Sequence, residues 1–94
     1  MTLRVKSGVT PPNLVIAAAA ANTAQEMEIV VTITSGTDGK HMAGSRHYIG
    51  AALDFRTSNL TKKEVTRFMD KMRERLGPDY DVVLESDHVH VERD

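Results

Sequence analysis

Between residues 61 and 78 the chain leaves itself little conformational choice. Thr61-Lys62-Lys63-Glu64 is a capping box, in which hydroxyl and carboxylate each satisfy a backbone N–H that a helix start leaves open. Val65, Phe68, Met69, Met72 and Leu76 then recur at helical spacing along one face, and Gly77-Pro78 ends the run. A helix with a single apolar stripe needs a surface to cover. The flanking sequence supplies strands. Downstream, residues 80–84 and 88–92 predict a hairpin that turns at Glu85-Ser86-Asp87. Upstream, residues 28–34 are β-branched and almost continuously apolar, which predicts a short, central, buried strand. A further short strand, over residues 51–56, carries Asp54.

Nearer the N-terminus, Thr10-Pro11-Pro12 offers a hydroxyl cap and first-turn prolines for an alanine-rich helix reaching about Glu26. Its small-residue face suits close packing, on the sheet or on a second subunit. The order helix, strand, loop, strand, helix, hairpin predicts an α+β fold. It would be a small, mainly antiparallel sheet with two helices, in one domain over residues 1–94. A net charge of -1, from 12 basic and 13 acidic residues, provides no field that calls for nucleic acid or an anionic membrane. The apolar run 14–21 is too short to span a bilayer, so no membrane insertion is expected. Arg4, Lys6 and that run mimic a signal peptide, but Pro11-Pro12 and the helical continuation argue against one. The expected location is therefore the cytoplasm of the producing cell, unless something else releases the protein.

The absence of cysteine removes disulfides, thiolate zinc sites and thiol catalysis together. Two stretches, 45–54 and 87–90, nevertheless gather three of the 4 histidines with Asp54 and Asp87. Imidazole and carboxylate without thiolate suit a catalytic zinc site, which takes three protein ligands and leaves one position open. On a strand, His88 and His90 project from one face while Val89 and Val91 enter the core. A turn at Gly50 would return His47 toward Asp54. Each element has a plainer reading: surface histidines on an amphipathic hairpin, and an Asp54 paired with Arg56. Residues 35–45, with three glycines and no periodicity, read as a loop of functional length.

In combination, Ser-x-His-x-x-Gly-x-Ala-x-Asp (Ser45, His47, Gly50, Ala52, Asp54) followed by Asp-His-x-His (Asp87, His88, His90) resembles the peptidase M15 group. This group comprises zinc DD-carboxypeptidases and L-alanyl-D-glutamate endopeptidases, and is related to lysostaphin-type enzymes and the hedgehog signalling domain. The resemblance runs from about Thr32 to the C-terminus. It implies a hedgehog/DD-peptidase-like fold and Zn2+ held by His47, Asp54 and His90. It also implies Asp87 as general base, His88 beside the metal to hold substrate or oxyanion, and Ser45 lining the pocket. Family members often carry an arginine before the glycine-rich loop; here Lys40 or His41 stands in that stretch. A shifted frame, with His88 as ligand and Glu85 as base, remains open, as does a four-ligand structural site using both histidines. The implied function is hydrolysis of peptidoglycan stem peptides by a phage or prophage protein. The alternatives are a non-catalytic zinc-binding module, with Lys40, Arg46 and Arg56 as partner contacts, and an iron oxygenase using the same ligand types.

Overall fold

A computed structural model describes residues 2–6, 9, 13–36 and 52–93. Five strands and two helices follow in the order β1 (Thr2–Val5), α1 (Leu14–Met27), β2 (Val30–Gly36), β3 (Ala52–Arg56), α2 (Lys62–Leu76), β4 (Tyr80–Leu84) and β5 (His88–Arg93). The strands form one sheet in the order β1-β2-β3-β5-β4. β1 runs parallel to β2, and every other neighbouring pair is antiparallel. The fold is thus α+β with a mostly antiparallel sheet, as the sequence predicts, enlarged by one strand. β1 went unpredicted because its four residues, although they alternate polar and apolar, are too few for a period of two to stand out. It extends along β2, pairing Thr2 to Val5 with Val30 to Ile33.

Both helices cover one face of the sheet. α1 contributes Ile16, Ala17, Ala20 and Ala24 to a core that also takes Phe68 and Met72 from α2 and Val31, Ile33, Leu53, Phe55, Val89 and Val91 from the strands. The alanine face therefore packs inside the chain, where small side chains let the helix lie close. Phe55 and Phe68 meet edge to face with ring centroids 5.5 Å apart, each aromatic burial contributing about 1.5–3 kcal/mol. Thr23 ties the helices together, its hydroxyl donating to the Ala19 carbonyl (2.8 Å) and lying 3.7 Å from the Met72 sulfur. Glu26 at the end of α1 bridges Lys71 and Arg75 of α2.

Helix ends show which local signals prevail. In α2 the Thr61 hydroxyl accepts from the Glu64 N–H (3.1 Å), and Glu64 accepts from the Thr61 N–H (2.8 Å), completing the predicted box. Gly77, at φ 83, closes the helix with its N–H on the Arg73 carbonyl, a conformation that costs glycine little. α1 ends where the sequence predicts, at Met27, but departs from expectation at its start. Its N-cap is Asn13, and Thr10 lies outside the described residues. The buried Asn13 side chain donates to the Ala52 carbonyl (3.1 Å), spending its polarity on the sheet instead of the helix. Glu28, expected to open a strand, is instead the left-handed C-cap of α1 at φ 56, and β2 begins at Val30.

Candidate functional site

The sheet face away from the helices carries the polar residues of β3 and β5. In β3, Leu53 and Phe55 enter the core while Asp54 and Arg56 face out; in β5, Val89 and Val91 enter while His88, His90 and Glu92 face out. The period-two reading of the histidine pair therefore holds. Register then fixes who meets whom. Asp54 stands directly opposite His90, and Arg56 directly opposite His88.

Asp54 is the hub. The His90 Nδ1–H donates to its Oδ1 at 2.6 Å, and the Ser35 hydroxyl donates to its Oδ2 at 2.7 Å. A shift in register brings Ser35 there: Ile33 pairs with Phe55, yet Ser35, two residues on, pairs with Asp54, one residue back. The extra residue, Thr34, makes a β-bulge, and such bulges re-aim side chains. Without it Ser35 would stand opposite core-facing Leu53. Asp54 does not pair with Arg56, contrary to the plainer sequence reading.

On its far side, the His90 Nε2–H donates to Glu92 at 2.7 Å. The hydrogen bond to Asp54 chiefly, helped by Glu92 and opposed by burial, raises the His90 pKa to about 9. Burial pushes the Asp54 carboxyl up, but the hydrogen bonds from His90 and Ser35 outweigh it and leave its pKa below the ordinary value. Sequence reasoning missed both supporting residues. Glu92 was detectable, since it continues the His88, His90 alternation by one step. Ser35 was not, because only the bulge turns it outward.

His88 sits one step along. Its Nδ1 is 2.8 Å from Asp87 and its Nε2 2.9 Å from Glu85, while Asp54 Oδ1 lies 3.7 Å from Nε2. The hydrogen bond with Asp87 is the main cause of its raised pKa, against desolvation and with Asp54 and Glu85 assisting. The hairpin is closed by the Glu85 N–H donating to the His88 carbonyl (2.8 Å), which curls the turn so that Asp87 flanks the imidazole. The Asp87 side chain remains 83% exposed. An open cleft of ≈ 430 Å³ runs past Ser35, Asp54, Arg56, Ser58, Asp87 and His88.

Of the residues singled out in the sequence, Asp54, Asp87, His88 and His90 come together on this face. Lys40, His41, Ser45 and His47 lie outside the described residues. Among the described residues no group of three or more His, Asp or Glu is arranged to hold a metal ion. The two donors that do converge suit one. Imidazole nitrogen and carboxylate oxygen are zinc ligands, and each is held from behind, His90 by Glu92 and Asp54 by Ser35, as metal-ligating groups generally are. No described helix is long and apolar enough to cross a membrane. The chain matches no family model and no curated protein among those compared.

Proposed function

We propose that this protein is a zinc-dependent peptidase of peptidoglycan stem peptides, with a hedgehog/DD-peptidase-like fold resembling that of the peptidase M15 group. One observation carries the reading. Asp54 and His90, distant in sequence and assigned as ligands by the resemblance, meet at 2.6 Å as a cross-strand pair supported on both sides. The same contact favours His90 over His88 as the histidine that shares the carboxylate, the latter lying 3.7 Å away. His47 would complete the set of three.

Zinc at these residues would supply Lewis acidity toward the scissile carbonyl. The chain's own groups do the rest. Asp87, at the cleft wall, takes a proton from the attacking water and returns it to the leaving amine. His88, whose charged form is favoured, is bonded at both ring nitrogens, and would turn its Nε2–H from the exposed Glu85 carboxylate to the oxygen that becomes anionic as the carbonyl is attacked. Ser35 and Glu92 keep Asp54 and His90 in place.

Metal analysis of the purified protein and a muropeptide digest read by mass test this directly. Wild-type protein is expected to bind zinc and to cleave. His47→Ala and His90→Ala should lose both. Asp87→Asn should keep its zinc while hydrolysis falls by about 10²–10⁴-fold. Zinc binding without cleavage in the wild type, unchanged by Asp87→Asn in any assay, would identify a non-catalytic zinc module, which the high exposure of Asp87 also accommodates. Cleavage that survives removal of zinc would sink the proposal.

A further inference from the structure

The outer face of β3 and β5 carries a two-by-two arrangement: Asp54 opposite His90, Arg56 opposite His88. Three of these four side chains are engaged. Asp54 is bonded to His90 and Ser35, His90 also to Glu92, and His88 to Asp87 and Glu85. Arg56 is the exception. Its side chain makes no hydrogen bond or ion pair with another described residue, although Asp54 and Asp87 line the same cleft. A guanidinium offers five donors in a plane and keeps its charge at any working pH. The cleft's two carboxylates are already bonded to histidine, Asp54 to His90 and Asp87 to His88, so the guanidinium of Arg56 is left as a point attractive to an anion.

We propose that Arg56 determines specificity by binding a carboxylate that the peptide carries next to the bond to be cut, with the Ser58 hydroxyl on the same wall as a second donor. This inference rests on the peptidase reading of the cleft. Alternate residues of a strand lie about 7 Å apart, and an extended peptide advances about 3.4 Å per residue. From a bond held beside Asp54, Arg56 is therefore met within one or two residues. The carboxylate has two possible sources, a free C-terminus or the side chain of an acidic residue. The first makes the protein a carboxypeptidase. The second makes it an endopeptidase that prefers acidic residues after the cut.

Binding separates these without needing turnover. Metal-free protein would be titrated, with backbone amide NMR as the readout, using N-acetyl-dialanine (both residues D) and its C-terminal amide. A second pair would be N-acetyl-alanyl-glutamate and N-acetyl-alanyl-glutamine, both as C-terminal amides. In at least one pair the acid should bind about tenfold tighter than its neutral counterpart, as expected of a charge-assisted guanidinium contact, with shifts at Arg56 and Ser58. Whichever pair discriminates identifies the source. Arg56→Gln should abolish the discrimination and Arg56→Lys should retain part of it. No binding by either acid, equal binding of acid and neutral partner, or discrimination that survives in Arg56→Gln overturns the proposal. The peptidase reading fails separately, by absence of zinc or of cleavage in the wild type, and leaves the acid-to-neutral ratio measurable.

Discussion

At the scale of single residues, the ion pair between Asp54 and His90 should govern how the metal-free protein responds to pH. The His90 pKa is raised to about 9 from an ordinary value of 6.5. Stability from this shift is therefore complete below pH 6.5 and is lost as pH rises through about 9. The loss should be on the order of 2 kcal/mol for a half-buried pair. The lowered pKa of Asp54 describes the same pair from the other side, so the same stabilisation is also lost in acid as pH falls through its folded value. Urea denaturation of metal-free protein at pH 6 and pH 9.5 checks this, and His90→Gln should flatten the difference. A wild type equally stable at both pH values would show that the pair is not formed in solution. The histidines, Asp54 and Asp87 could be singled out from the sequence because their residue types carry the chemistry. Ser35 could not, since its role depends on one extra residue in β2, and no local rule announces a bulge.

At the scale of elements, what the sequence revealed follows how local each element's causes are. α2 was legible to the residue because both ends are closed by neighbours in the chain, Thr61 with Glu64 and Gly77 with Arg73. Removing the cap should therefore act on this helix alone. Thr61→Ala is expected to destabilise the protein by about 1 kcal/mol, seen as a lower midpoint in thermal or urea unfolding with no change in metal content. A loss of zinc in that variant would mean that α2 and the site are coupled in a way the packing does not suggest. α1 was legible in kind and in its end but not in its start, because Asn13 answers to Ala52 across the fold. β1 was legible only as a four-residue alternation of polar and apolar side chains, too short to stand out until pairing with β2 makes it a strand.

At the scale of the whole molecule, the division of labour between the two sheet faces explains why so small a chain can keep a polar site. One face spends its residues on the core, with Val31, Ile33, Leu53, Phe55, Val89 and Val91 all buried beneath the helices. The other is free to hold charge, and the strict alternation of β3 and β5 keeps the two apart. The opposition of Asp54 and His90 has a thermodynamic corollary. These residues belong to neighbouring strands in the interior of the sheet, and only the folded chain brings them together. An ion held there is a ligand of the native state and not of the unfolded one, so zinc should act as a concentration-dependent stabiliser. Free metal at a hundred times its dissociation constant would add about 2.7 kcal/mol. Melting temperature followed against buffered zinc would then trace a binding curve whatever the substrate proves to be. Asp54→Ala should reduce that curve to a flat line. Heat thus offers a titration of the site that requires no turnover.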